Sequence, residues 1–133
     1  MMTVRLAAAW FVAAALVTCT PACGRSESRE ERLRHGARLF EEQGCIVCHG
    51  REGHGDGQRS GSLNPRPRDF RDPGAYVQGT NARAIASTLE TGIRVRDAQM
   101  PSFSHLAEGE RLALGEFIVS LQRGVNGSAR SSR

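Results

Sequence analysis

Cys45-Ile46-Val47-Cys48-His49 is the segment of this 133-residue chain best equipped for chemistry. Two thiols separated by two residues fall on one side of a single turn, and an imidazole follows at once. That spacing suits two thioether bonds to the vinyl groups of a haem, with the imidazole beneath the iron as proximal ligand; it is the attachment pattern of a c-type haem. With 4 Cys and 4 His in the chain, chance would produce the pattern in about one such chain in 300. A thioredoxin-like dithiol would need a βαβ setting, which the flanking sequence lacks. A zinc site would need four ligands, and no second paired motif provides them.

An iron held by His49 needs a sixth group or keeps an open position. Outside the leader described below, the candidates are Met100, His35, His54 and His105. Met100 is favoured. It follows His49 by 51 residues with a helix between, so it can approach from the opposite face. Pro101 stiffens the segment that presents it. It lies among polar neighbours and not in an apolar stripe, which argues against a core gap-filler. His54 is too close in the chain to cross a haem. His35 reads as a helix-surface residue, and His105 as a loop or capping residue and the best substitute for Met100.

The elements that must position these groups are helical. Ser28 and Glu31 have capping-box spacing, and Leu33, Gly36, Ala37 and Phe40 repeat at helical intervals. Gly44 is a stop signal. A Gly- and Pro-rich stretch follows, from Gly50 to beyond Pro73. Thr80 or Asn81 caps a second helix with Ala82, Ile85, Ala86 and Leu89 on its apolar face, ended by Gly92. A third helix is expected from about Glu108 to Gln122, with Leu112, Leu114, Phe117, Ile118 and Leu121 inward. The tail 124–133 is rich in Gly, Ser and Arg and reads as disordered. The expectation is an all-α domain over 32–123: three main helices joined by long loops. A loop of about 30 residues makes sense in a compact domain only if it wraps something. Aromatics are 5% of the chain, and a core that thin needs a cofactor.

Composition excludes other classes. The chain has 18 basic residues, all Arg, against 14 acids, for a net charge of +4. The excess is small, and two haem propionates would offset it, so nucleic-acid binding is not indicated. Residues 1–23 read as an export leader. One Arg precedes the apolar run Leu6–Val17, too short for a membrane span and suited to a secretory signal. Leu16 stands three residues before Cys19, and Ala22 directly before Cys23. These are partial matches to a lipoprotein box, which leaves a lipid on Cys19 or Cys23, or plain cleavage near Ala22. Residues 24–31 form a tether. The expected location is the periplasm.

Taken together, these residues resemble a class I c-type cytochrome over about 33–123. The likeness rests on Gly36-x-x-x-Phe40, Cys45–His49, Gly53-His54-Gly55-Asp56-Gly57, the segment Pro65 to Phe70, Gly92-Ile93, Met100-Pro101-Ser102-Phe103 and the last helix. It implies a small cytochrome c fold around one covalently bound haem c, held by Cys45 and Cys48 with His49 and Met100 as axial ligands. It implies that the first and last helices cross, with Gly36 and Phe40 meeting Leu114 and Phe117. It also implies that the carbonyl of Pro65 or Pro67 accepts the His49 N–H, and that Arg66 and Arg68 are placed to pair with the propionates. Where relatives carry Lys around the haem edge, this chain offers Arg51, Arg59, Arg94 and Arg96. No nucleophile–base pair or phosphate loop is present. The chain therefore reads as a one-electron carrier, not an enzyme, serving a membrane respiratory complex or a periplasmic dehydrogenase or oxidase. The alternatives are a haem subunit of a larger oxidoreductase, or a haem sensor or enzyme with a dissociable Met ligand.

Overall fold

In the computed structural model, residues 27–76, 78–95 and 98–130 are described, with side chains at 98 and 123–130 excepted. The leader 1–23, the first part of the tether and Arg96 lie outside them. Helix α1 spans Arg29–Glu42. Ser28 caps it: its hydroxyl accepts from the Glu31 N–H, and the Glu31 carboxylate accepts from the Ser28 N–H. The tether therefore stops short of residue 31, because this box satisfies two amides that would otherwise be orphaned. Gly44, at φ 73°, turns the chain directly into the short helix α2, Cys45–His49.

The Gly-rich stretch folds back on α2 and completes it. The carbonyls of Val47, Cys48 and His49 accept from the amides of Arg59, Gly57 and Gly55 at 2.9, 3.2 and 2.9 Å. These are helix-end acceptors that would otherwise need water. A side chain on Gly57 would meet the Val47 carbonyl oxygen at 2.5 Å, so only glycine lets the two backbones approach this closely. The loop is not wholly irregular: short 3-10 turns occur at Ser60–Ser62 and Pro73–Ala75.

Helix α3, Ala82–Thr91, is capped by the Asn81 side chain on the Ala84 amide and ends at Gly92. A two-stranded antiparallel hairpin follows, β1 Ile93–Val95 with β2 Ala98–Met100, pairing Ile93 with Met100. The sequence pattern placed Met100 in a loop. It is the last residue of a strand: Ile93-Arg94-Val95 and Ala98-Gln99-Met100 each alternate apolar and polar residues, but three residues are too few for the alternation to be read as a strand.

Helix α4 runs from Glu108 to Arg130. It runs past the expected end at Gln122 and into the stretch 124–133 expected to be disordered, of which residues 131–133 lie outside the described residues. Once earlier turns are nucleated, each added residue gains a backbone hydrogen bond at small entropic cost. α4 packs against both α1 and α3. Gly36 of α1 faces the Ala113 carbonyl, and Gly115 of α4 faces the Ala82 carbonyl. Phe40 and Phe117 meet at the first crossing with ring centroids 5.4 Å apart. Leu114 is fully buried in the same core, with Leu39, Ile85, Leu89, Phe103 and Ile118. The inward face of α4 is shifted from the expected one: Arg111 and Ala113 are buried, while Leu112 is only half-buried. A helix gripped from two sides buries more than a single stripe. The architecture is otherwise the expected all-α arrangement. No described helix is long and apolar enough to cross a membrane.

Candidate functional site

Three separate stretches of chain enclose one cavity of about 360 Å³. Helix α2 contributes Cys45, Cys48 and His49. The hairpin end contributes Ile93, Met100 and Pro101. The segment from Leu63 to Tyr76 contributes Pro65, Arg66, Pro67, Arg68 and Phe70. Phe40, Ile85, Leu89, Phe103 and Ile118 complete an apolar wall. All four residues singled out from the sequence, Cys45, Cys48, His49 and Met100, thus line the same space. His35, His54 and His105 do not. His35 is half-buried on α1. The His54 ring stands 3.5 Å from the Glu52 carboxylate. His105 is exposed and bonded to the Gln43 side chain at 3.0 Å.

Burial sets the chemistry of this donor set. Cys45 and Cys48 are free thiols, and desolvation pushes the Cys45 thiol up to about 11. Desolvation also holds His49 at about 4, against the opposing effect of the Arg68 backbone. The imidazole is therefore neutral near pH 7 and keeps a lone pair for a metal. Its buried Nδ1 atom has no acceptor at full hydrogen-bonding geometry, and the backbone group that acts on the ring is that of Arg68. The implied Pro65 or Pro67 acceptor is accordingly corrected. The Pro67 carbonyl is turned instead toward Gly55, where any Cβ would collide with it. An apolar cavity with two thiols, a neutral imidazole and a thioether on its wall fits a covalently attached haem. Among the described residues, no group of three or more His, Cys, Asp or Glu is placed to hold a bare metal ion.

Arg68 is half-buried on the wall, its guanidinium 5.4 Å from the Tyr76 ring centroid, and burial lowers its pKa. Arg66 is exposed at the rim. Of the other arginines offered for the edge, Arg51 is paired with Glu41, and Arg59 and Arg94 are exposed away from the cavity wall. Sequence reasoning missed two residues. Phe70, 5% exposed, stacks on the His49 ring with centroids 4.6 Å apart and planes 22° apart. Arg111 is buried on α4, bonded to the Leu106 carbonyl and 3.3 Å from the Glu90 carboxylate. The second had a signal, since Arg111, Leu114 and Ile118 share one helical stripe. Ser102 and Phe103 also bond α3, to the carbonyls of Glu90 and Leu89 at 2.6 and 2.7 Å. The segment after Met100 is thereby tied to α3 and α4.

Comparisons with known proteins bear on the family and the fold. The family model described as cytochrome c oxidase, cbb3-type, subunit III matches residues 31–118. Among solved structures, the chain is similar to a chain of the Kuenenia stuttgartiensis reducing HAO-like protein complex. Identity is 28% and the TM-score 0.57, over 69% of this chain and 44% of that one. The present chain thus spans less than half the length of that relative. The curated proteins gave no match.

Proposed function

The chain belongs to the family of cytochrome c oxidase, cbb3-type, subunit III, and from that premise we propose that it is a one-electron carrier with a single covalently bound haem c. The family and the fold together carry haem-based electron transfer; the assignment of individual residues is our reading. When bound, the haem iron supplies the one-electron couple. Cys45 and Cys48 would hold the group by thioether bonds, and the His49 imidazole and the Met100 thioether would bind its iron. With both side chains on the iron, no open position would be left for a substrate, and the chain would serve as a carrier and not an enzyme. Met ligation raises the reduction potential relative to a second His. The apolar wall of Phe40, Leu89, Phe103 and Ile118 keeps water from the site, which limits reorganisation as the charge changes. Arg66 and Arg68 offer cations to the propionates, and Arg is suited to bidentate carboxylate pairing.

The observation that carries this reading is the convergence of Cys45, Cys48, His49 and Met100 on one apolar cavity. We read residues 1–23 as an export leader and the location as the periplasm, with a lipid on Cys19 or Cys23 or cleavage near Ala22. Anchoring would raise its effective concentration at a membrane partner. The partners are redox proteins. A second reading, a haem-bearing subunit of a larger oxidoreductase, is favoured by the relative of known structure, which is part of a protein complex.

The test is the optical spectrum of holoprotein from a host that attaches c-type haem. A ferric long-wavelength Met-to-iron band with a low-spin ferrous spectrum is expected, and Met100→Ala should abolish the band and lower the potential. An unchanged potential in Met100→Ala, or prompt carbon monoxide binding by the wild-type ferrous form, would overturn the Met100 assignment. Size analysis of the protein extracted from native membranes separates carrier from subunit.

A further inference from the structure

A helix leaves its last carbonyls without partners of its own, and something outside must donate to them. At the end of α3 the donors come from the segment that follows Met100. The Leu89 carbonyl accepts from the Phe103 amide at 2.7 Å, and the Glu90 carbonyl accepts from the Ser102 hydroxyl at 2.6 Å. The Ser102 oxygen in turn accepts from the Ser104 amide at 3.2 Å. One hydroxyl thus ties the strap 100–104 both to the helix end and to its own next turn.

Gly92 is the seat beneath this strap. A Cβ there would come within 2.8 Å of the Met100 carbonyl oxygen and of the Ser102 amide nitrogen, and within 3.0 Å of the Pro101 carbonyl carbon. The backbone that carries Met100 therefore lies directly on the end of α3. On the hairpin side Met100 pairs with Ile93. Pro101 has no amide to donate, so the tie between the hairpin and Phe103 falls to the Ser102 side chain. Phe103 is fastened in the core at 8% exposure. Ser102 is exposed, so removing its hydroxyl spares the core.

We propose that Ser102 is a positioning residue for Met100: by bonding the Glu90 carbonyl it latches the strap onto α3 and keeps the thioether turned into the cavity. This rests on the proposed role of Met100 as a haem ligand. When the strap lifts, Met100 leaves the iron and an outside base can take its place. Such a base binds only the open form, so its apparent affinity scales with the open fraction. Loss of one hydrogen bond raises that fraction about 2- to 10-fold.

The experiment titrates ferric holoprotein with imidazole and follows the loss of the long-wavelength Met-to-iron band. The proteins are the wild type, Ser102→Ala, Ser102→Thr and Phe117→Leu. Ser102→Ala should bind imidazole about 2- to 10-fold more tightly than the wild type. Ser102→Thr keeps the hydroxyl and should restore the wild-type affinity. Phe117 packs at the α1–α4 crossing, outside the cavity wall, so Phe117→Leu should lower the urea midpoint and leave imidazole affinity unchanged. Wild-type affinity in Ser102→Ala, or an equal gain in Phe117→Leu, would overturn the proposal. Should Ser102→Ala fail to hold haem, hydrogen exchange in the wild type decides. A Ser104 amide protected along with that of Phe103 upholds the latch, and a Ser104 amide exchanging at the open-chain rate overturns it. A wild-type protein without the Met-to-iron band would instead refute the Met100 assignment itself, which keeps the two failures distinct.

Discussion

Substituting alanine at two glycines should shift stability in opposite directions, and the structure gives the size of each effect. Gly36 lies on α1 where it crosses α4. A Cβ there would stand 2.7 Å from the Ala113 carbonyl carbon, 2.8 Å from Phe117 Cβ and nearer still to the Ala113 oxygen. Carbon atoms in ordinary contact sit about 3.5–4.0 Å apart, so the helices must separate by roughly 1 Å. A gap of that size forfeits about a quarter to a half of each dispersion contact along the crossing. The obstacle is mainly backbone, which cannot swing aside, so the cost falls at the upper end of the overpacking range, about 3 kcal/mol. Alanine returns at most about 1 kcal/mol through helix propensity. Gly36→Ala is therefore expected to lose about 2 kcal/mol, a fall of roughly 1 M in urea midpoint at an m-value near ~2 kcal/mol/M. Gly109, on the first turn of α4, has nothing within 4 Å of its Cβ position. Gly109→Ala should gain about 0.5 kcal/mol from propensity and a less flexible unfolded chain. Urea titration of both holoproteins, followed by far-UV circular dichroism, measures the pair. A Gly36→Ala protein at least as stable as the wild type would falsify the close-crossing argument.

Three further outcomes follow from the same geometry. Arg111→Met removes a charged donor from the buried Leu106 carbonyl and should cost about 2 kcal/mol. The half-exposed Glu90 adds at most about 1 kcal/mol, so Glu90→Gln alone should leave the urea midpoint nearly unchanged; an equal loss in both variants would contradict this division. The Arg71 guanidinium holds the Asp69 carboxyl down to about 2 from its ordinary 3.8. This lowered group contributes stability above about pH 4 and loses it as pH falls toward 2, to an extent reduced by solvent because both side chains are about a third exposed. Asp69→Asn should accordingly flatten the acid limb of the stability curve, and superimposable curves would exclude the contribution. Finally, a Cys45→Ala, Cys48→Ala chain without haem should show no cooperative thermal transition, since its apolar core is too thin to offset chain entropy. A sharp calorimetric peak would count against the cofactor as the organiser of the core.

The sequence determined what could be read locally. Cys45, Cys48 and His49 need only one turn of chain to stand together, so their spacing alone carried the chemistry. The Ser28 box, the Asn81 cap and the stops at Gly44 and Gly92 depend on one or two neighbouring amides, and they appear where the residues placed them. The crossing of α1 and α4 came from the resemblance, through Gly36 and Phe40, and the structure has both residues at the contact.

Tertiary structure decided everything that joins distant segments. The β1–β2 hairpin rests on backbone pairing between two three-residue strands, too short for their apolar alternation to be told from chance. The stacking of Phe70 on His49 joins residues across the Gly-rich loop, and its direction is set by the Gly53 and Tyr76 bonds. Arg111 reads as surface charge until the Leu106 carbonyl and Glu90 are seen beside it. The backbone group that faces His49 is of the same kind: it is that of Arg68, not of Pro65 or Pro67, because the path of the whole loop, which no residue spacing encodes, sets what faces the ring.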